Sequence, residues 1–320
     1  MASHQDSRPD SENPSSEAGR RIVLILNPRS GRGQGRRRRS ELEELLTAAA
    51  KEAGGTEWRI VETQAAGDAT KLARQAVRDG VTVVAAVGGD GTLNEVVNGL
   101  VGRDPAESNV ACGLIPLGTG NDFARCIGLG TDLKRSVDTL FSGAARPVDV
   151  GRAGDRWFLN IAGCGFDALV ADRINRAGRR LRGTTAYIAA VCDCLRTLKP
   201  AQLTLTLDGQ RLETSALMCS VANATSYGGG MLVAPDAKID DGLFDICLIR
   251  EASRLEFLLA FPRVFKGTHV THPKVTMLRA ATVHVESDPL LPVLIDGDVM
   301  GTTPITFTNH RHTLGMLTPG

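Results

Sequence analysis

Three short segments of this 320-residue chain carry residues whose types and spacing could do chemistry. The first is Gly88-Gly89-Asp90-Gly91-Thr92, which follows the apolar run Val83–Val87 and leads into Leu93-Asn94-Glu95-Val96-Val97. Glycines there let main-chain N–H groups approach phosphate oxygens with no Cβ in the way. A helix opening at the loop adds free N–H donors and its positive dipole end. Thr92 could cap that helix or bind a phosphate oxygen. Asp90 could sit beside phosphate only with a proton or a cation between them, and Mg²⁺ would reconcile the two. The second segment is Leu117-Gly118-Thr119-Gly120-Asn121-Asp122-Phe123, again after a strand end and again opening a helix. Two such turns can converge on one crevice, where Thr119 and Asn121 offer hydrogen bonds to phosphate or ribose. The third is Asp296-Gly297-Asp298, two carboxylates on a tight turn. A carboxylate near a hydroxyl can take its proton, although Asp-Gly is also a common hairpin signal. The first loop is neither GxxxxGK[ST] nor GxGxxG, which argues against a P-loop enzyme and a dinucleotide oxidoreductase. Its bland reading is a ligand-free strand-to-helix turn.

The elements needed to position these segments are legible in the hydrophobic pattern. Strands are expected at Ile22–Leu26, Trp58–Val61, Thr82–Val87 and Cys112–Ile115. Helices are expected at Ser40–Ala53, Ala69–Arg78 and Leu93–Val101. This alternation implies a doubly wound α/β nucleotide-binding domain with ligands at the strand C-termini. The second half carries helical patterns at Asp167–Arg179 and Thr185–Leu198. It then turns to alternation around Leu203, Leu205 and Leu207, with strands at Met218–Val221, Leu243–Ile249, Thr282–Val285, Pro292–Ile295 and Ile305–Phe307. That pattern implies a mainly antiparallel β-sandwich. The expected division is a disordered tail over 1–20, an α/β catalytic domain over 21–150 and a β-rich domain over 151–320.

Bulk properties exclude some function classes. A formal net charge of +1 gives no reason to expect nucleic-acid binding. No stretch approaches the about 18 consecutive apolar residues of a membrane span, so any membrane contact is expected at the surface. Seven cysteines with no CxxC pair read as reduced core residues of a cytosolic protein. Cys192 and Cys194 make a poor metal pair, and the histidines form no metal site.

The motifs also resemble a known family. Gly88–Gly99, reading GGDGTLNEVVNG, and Pro116–Arg125, reading PLGTGNDFAR, resemble the diacylglycerol kinase catalytic domain. The nearest branch is the bacterial lipid kinases related to diacylglycerol and phosphatidylglycerol kinases and, more distantly, to sphingosine kinases. Asn27-Pro28-Arg29-Ser30-Gly31-Arg32-Gly33 matches the family's opening turn. Asp240-Asp241-Gly242-Leu243-Phe244-Asp245 matches its metal-associated turn, and Leu294-Ile295-Asp296-Gly297-Asp298 its late acidic turn. The resemblance spans Arg21 to Leu317, whereas GGDGT alone is shared with NAD kinases.

The resemblance implies ATP contacts from Asn27, Thr63, Gly88, Gly89, Asp90, Gly91, Thr92, Leu93, Asn94, Gly118, Thr119 and Asn121. It implies a structural Mg²⁺ at Asp241 with backbone oxygens of Lys238 and Leu243. Catalysis falls to Asp90 and the acidic turn. The family carries Glu where this chain has Asp298, one methylene shorter, so either Asp298 or Asp296 is the general base. Asp149 orients Mg²⁺ or the acceptor, or is a buried linker aspartate. The implied reaction moves the γ-phosphate of ATP to a lipid hydroxyl, diacylglycerol giving phosphatidic acid. Alternatives are a phosphatidylglycerol or sphingoid-base kinase, an NAD kinase-like enzyme and a non-catalytic nucleotide-binding regulator. The implied location is cytoplasmic, at the inner membrane surface, and a homodimer stays open.

Two further features bear on the acceptor. Arg36–Arg39 is a run of arginines at a helix start, where cations oppose the dipole. An anionic phosphate or membrane surface would account for it, as would a solvated charge run. Phe257, Phe261 and Phe265 recur every four residues in Arg254–Lys266. They could line an acyl pocket, lie at an interface, or form ordinary core. Pro262 should end or kink that helix, and Tyr227–Met231 could border the acceptor cleft.

Overall fold

The computed structural model describes residues 20–102, 110–177, 193–196 and 199–320. The tail expected to be disordered lies outside the described residues apart from Arg20, as do Cys192 and most of the helix expected over Thr185–Leu198.

The strands of the first half are parallel. β1 (Arg21–Leu26), β2 (Glu57–Glu62), β3 (Val83–Gly88) and β4 (Ala111–Pro116) lie in the order β4-β3-β1-β2. Their unbroken apolar character follows from burial on both faces. Val23 and Ile25 of β1 point into one core with Ala73, Val96 and Val97, while Ile22, Leu24 and Leu26 point into another with Leu42, Leu46 and Val137. The helices supplying those partners are α2 (Arg39–Glu52), α3 (Asp68–Arg78), α4 (Asp90–Leu100) and α6 (Leu133–Ser142), with the shorter α1 (Ser30–Arg37) and α5 (Asp122–Cys126) at the strand ends. Each longer helix buries the stripe its spacing dictates, such as Leu42, Leu46 and Ala49 on α2.

The second half is antiparallel apart from α7 (Phe166–Ala177) and α8 (Arg254–Ala260), with α8 running into 3-10 turns at Phe261–Lys266 and Thr268–Thr271. Its strands are β5 (Ala144–Ala153), β6 (Arg156–Phe158), β7 (Ile161–Gly165), β8 (Ala201–Leu207), β9 (Gln210–Ala222), β10 (Phe244–Arg250), β11 (Val275–Ala280), β12 (Thr282–Asp288), β13 (Pro292–Ile295), β14 (Asp298–Thr302) and β15 (Ile305–Thr318). Leu203 and Leu205 of β8 are buried while Thr204 and Thr206 turn outward, as period-2 alternation requires. At the centre Phe158 stacks on Phe244 at 5.5 Å and meets Phe307 edge-on at 6.2 Å.

Among the described residues all fifteen strands belong to one continuous sheet, and β15 is its joint. Its first residues pair antiparallel with β12; Leu314–Thr318 pair with β5, and Met316 lies opposite Cys112 of β4. The register shifts between His310 and Leu314, where His312 takes a left-handed φ of 52°. The architecture is the α/β-plus-antiparallel arrangement read from sequence. Strands β5, β6, β7, β11 and β14 are additional: β6 is short, β7 glycine-rich, β14 exposed, β11 mostly half-buried, and β5 covers the stretch expected to hold the domain boundary. Among the described cysteines, all but Cys126 are buried and none is disulfide-bonded; burial pushes Cys112, Cys164 and Cys247 up to about 12. Among the described residues no helix is long and apolar enough to cross a membrane.

Candidate active site

The glycine loop is the first turn of α4 rather than a lead-in to it. Gly89 is the N-cap, and the first helical bond runs from the Leu93 N–H to the Gly89 carbonyl at 3.1 Å. The first-turn N–H groups therefore have no intrahelical acceptor and face the space at the end of β3. Thr92 does not cap the helix. It lies inside the first turn and its Oγ1 receives the Asn27 amide at 3.1 Å. Asn27 Oδ1 also accepts the Arg29 N–H at 3.0 Å, so one side chain braces the turn after β1 against the loop after β3.

The two glycine turns touch, as their positions at adjacent strand ends suggest. A Cβ on Gly118 would stand 2.4 Å from the Gly89 Cα and 2.7 Å from Asn121 Oδ1. Asn121, left-handed at φ 52°, is committed to this turn: it accepts the Gly118 N–H at 2.9 Å and donates to the Gly118 carbonyl at 3.0 Å. Its expected hydrogen bonds to ribose are thus already made within the protein, whereas Thr119 is exposed at the cleft. Gly118→Ala must force the two turns apart, an overpacking cost of about 1–3 kcal/mol. We expect a lower melting temperature and at least about tenfold weaker ATP binding by calorimetry; wild-type affinity would contradict this contact.

Gly120 is pressed between two carboxylates, since a Cβ there would lie 2.9 Å from Asp90 Oδ2 and 3.1 Å from Asp122 Oδ2. Burial pushes the Asp90 carboxyl up against the pull of the Phe123 N–H, and the Asp122 charge adds to the rise. A hard divalent cation is the species that relieves two such neighbours beside phosphate. Asp122, part of the quoted motif but given no role from sequence, holds a second loop. It accepts from Ser226 Oγ at 3.0 Å, the Gly229 N–H at 2.7 Å, the Gly230 N–H at 2.8 Å and Arg125. The glycine-rich loop at Tyr227–Met231 is thereby fixed to the second turn.

The acidic turn sorts its two carboxylates by environment. Asp296 accepts from the N–H groups of Leu159, Asn160 and Ile161 at 2.9–3.1 Å and from Asn94 Nδ2 at 2.8 Å. Burial pushes it up to about 6 against the pull of those donors. Asp298 is exposed on the cleft wall, with Arg156 at 3.6 Å. Asn94 is buried and also donates to the Trp157 carbonyl at 2.9 Å, tying the phosphate helix to the acidic turn. Neither Asn94 nor Leu93 reaches the cleft, contrary to the contacts expected of them: Leu93 is core.

Asp149 is fully buried and does not line the cleft. Its carboxylate accepts the Gly242 N–H at 2.6 Å and the His312 N–H at 2.8 Å, and its own N–H donates to the Ile239 carbonyl at 2.6 Å. It acts on the metal-associated turn by holding the backbone there. Asp241 of that turn is ion-paired with Arg279 and accepts the Leu243 N–H at 3.0 Å. Beside it, Asp245 keeps one buried carboxylate oxygen without a partner, and burial pushes that carboxyl up. Asp241 and Asp245 are hard oxygen donors suited to a divalent cation, although among the described residues no three ligating side chains are gathered. Lys238 and Leu243 do not line the cleft, so this turn is structural in position.

These parts open onto one cleft of about 980 Å³. Asn27, Arg29, Thr63, Gly89–Thr92 and Gly118–Gly120 line its polar end, and Asp296–Asp298 lines its flank. The other limb is apolar, walled by Phe166, Val170, Met218, Met231, Phe257 and Phe261. Of the three spaced phenylalanines, Phe257 and Phe261 wall the cleft and Phe265 is exposed outside it; Phe257 meets Phe166 edge-on at 4.7 Å, and α8 ends before Pro262 as expected. Asp167 stands in the same cleft, held by the Tyr227 hydroxyl at 3.2 Å. In the arginine run, Arg38 pairs with Glu41 and Arg39 with Glu43 and Glu62.

Known proteins are similar to this chain in sequence and fold. Residues 21–153 match the diacylglycerol kinase catalytic domain and residues 160–318 the YegS C-terminal NAD kinase beta sandwich-like domain. A diacylglycerol kinase of Bacillus subtilis (strain 168) is 32% identical over 92% of this chain and 95% of its own. One from Mycobacterium tuberculosis (strain ATCC 25618 / H37Rv) is 36% identical over 93% and 95%. A crystal structure of a protein described as a diacylglycerol kinase of Bacillus anthracis strain Sterne superposes with a TM-score of 0.77 at 25% identity, covering 96% of this chain and 98% of that one. With two consecutive domain matches and relatives more than 30% identical over nearly the whole chain, the chain belongs to the diacylglycerol kinase catalytic-domain family of lipid kinases.

Proposed function

We propose that the chain transfers the γ-phosphoryl group of ATP to the hydroxyl of diacylglycerol, giving phosphatidic acid. The observation that carries this reading is the two-ended cleft. Main-chain donors suited to polyphosphate lie at one end, a mainly apolar limb suited to acyl chains at the other, and the exposed Asp298 carboxylate on the flank. Both ends are needed only if a phosphate donor and an apolar acceptor meet there.

In this reading the N–H groups of Gly89–Thr92 and of Thr119 and Gly120 cradle the phosphates, with Arg29 and Thr63 on the cleft wall beside them. Asp298 takes the acceptor hydroxyl's proton, since it is exposed at the cleft with only Arg156 beside it at 3.6 Å, while both oxygens of Asp296 are hydrogen-bonded. Asp90 would hold the magnesium that accompanies ATP, with Asp122, itself held by four donors, fixing the neighbouring loop, and Asp241 with Asp245 would hold a structural cation. When bound, magnesium neutralises charge developing on the transferred phosphoryl group. Asp296 fixes the turn that carries Asp298, and the apolar limb excludes water from the acceptor.

The test is to incubate the protein with Mg²⁺ and labelled ATP against diacylglycerol, phosphatidylglycerol, a sphingoid base and NAD. Label is expected in phosphatidic acid. Label in phosphatidylglycerol or the sphingoid base would change the acceptor, and label only in NADP would overturn the lipid reading. No label anywhere would favour a nucleotide-binding regulator.

A further inference from the structure

One short helix presents apolar side chains on both of its faces. On α8, Phe257 is only 6% exposed and walls the apolar limb of the cleft. On the outside of the same helix Leu255, Leu258 and Leu259 are 65%, 51% and 70% exposed, and Phe265 in the following turn is 50% exposed. These are four of the seven large exposed apolar residues of the described chain, gathered within eleven positions. A cluster of this kind marks an interaction surface rather than the scattered apolar exposure normal for a soluble protein. The helix is not frayed into this position. Ser253 and Glu256 form a reciprocal capping box, Glu256 pairs with Lys274, and Phe257 is locked between Phe166 and Phe261.

The charges around the cluster identify its partner. Arg254, Arg263 and Lys266 are exposed beside the leucines, and among the described residues none of them is in an ion pair. Apolar side chains rimmed by unpaired cations suit the boundary between acyl chains and anionic headgroups. A second copy of the chain would bring the same three cations against themselves, which opposes self-association through this face.

We infer that the outer face of α8, with Phe265 and the flanking cations, seats the protein on an anionic lipid bilayer. Leu255, Leu258 and Leu259 enter the headgroup–acyl boundary. Because the inner face of the same helix walls the apolar limb, docking places that limb next to the membrane from which a lipid acceptor would come. This last step rests on the proposed lipid acceptor; the docking itself does not.

The experiment reads binding without turnover. The full chain is sedimented with vesicles of equal parts phosphatidylcholine and phosphatidylglycerol, with no ATP present. Leu255→Ser combined with Leu259→Ser should lower the bound fraction about tenfold or more, and added salt should weaken wild-type binding through screening of the cations. Thermal unfolding of the double variant should match wild type, since both side chains are exposed. A second variant, Leu259→Trp, should show, beyond the wild-type background, blue-shifted emission quenched by brominated acyl chains when vesicles are added. Unchanged sedimentation of the double variant, or an added indole signal indifferent to vesicles in the second, overturns the docking surface. So does retained vesicle binding together with a dimer that dissociates in the double variant, which would give the face to a second copy. Turnover on a dispersed short-chain diacylglycerol, measured separately, should stay within about twofold of wild type. If no diacylglycerol is phosphorylated while leucine-dependent binding persists, the acceptor assignment fails and the docking surface stands.

Discussion

Asp90→Asn is expected to lower kcat by roughly two to three orders of magnitude while leaving the fold intact. The substitution keeps the side chain's size and its acceptor for the Phe123 N–H, and removes only the charge. That charge stands against Asp122 across Gly120 and is the one carboxylate within the phosphate loop. Losing a group that holds a charge-neutralising cation costs several kcal/mol at the transition state, and each 1.36 kcal/mol is tenfold in rate. The stability effect runs the other way. Burial and the neighbouring charge disfavour the ionised form of Asp90, so removing the charge should leave the melting temperature at neutral pH equal or higher. Steady-state kinetics with a parallel thermal melt would decide it. Near-normal turnover would refute the role given to Asp90.

The second large effect separates the two carboxylates of the acidic turn. Asp298→Asn should reduce kcat by about 10²–10⁴-fold, the usual contribution of a positioned base, with an unchanged melting temperature because the side chain is exposed. Asp296→Asn should behave in the opposite sense. All four of its partners are donors, so an amide must turn its NH₂ group toward at least one of them. A buried donor left facing another costs about 1–3 kcal/mol, and stability should fall. The pH dependence offers an independent check. The folded-state value of Asp296, about 6, lies above the ordinary carboxylate value. The folded protein therefore takes up this proton before the unfolded chain does. Its contribution is favourable at low pH and is lost as pH rises from about 4 to about 6. Chemical denaturation across that range should show a shallower slope in Asp296→Asn than in wild type, since Asp90, Asp167 and Asp245 are pushed up by burial as well. If Asp296→Asn instead abolished turnover with stability unchanged, the base would be Asp296.

To several residues expected at the ligand the structure gives partners within the protein, and it bears out the buried-linker alternative for Asp149. Asn94 lies in a motif shared with nucleotide-binding relatives, yet its amide bonds Trp157 and Asp296, the latter 202 positions away. Asn121 is engaged in holding Gly118, and Asp149 in holding Gly242 and His312. Each is a polar residue near the chemistry in sequence whose hydrogen-bonding capacity is used by the protein itself. Asp122 is the converse case: it stood unassigned between Asn121 and Phe123, yet four donors converge on it.

What the sequence determined by itself was whatever depends on contiguous backbone. The parallel strands follow from unbroken apolar runs, the antiparallel ones from alternation, and the two turns at the strand ends from glycines at strand-to-helix junctions. Those signals are local because hydrogen-bonding geometry and side-chain period act over a few residues. Only the tertiary structure decided which of Asp296 and Asp298 stays exposed, because the main-chain donors to Asp296 come from residues more than 130 positions away. It alone turned Phe257 inward to the cleft and left Leu255, Leu258 and Leu259 outside. One helical stripe reads the same in sequence whether it meets core, ligand or membrane, since only the elements packed beside it settle what it faces.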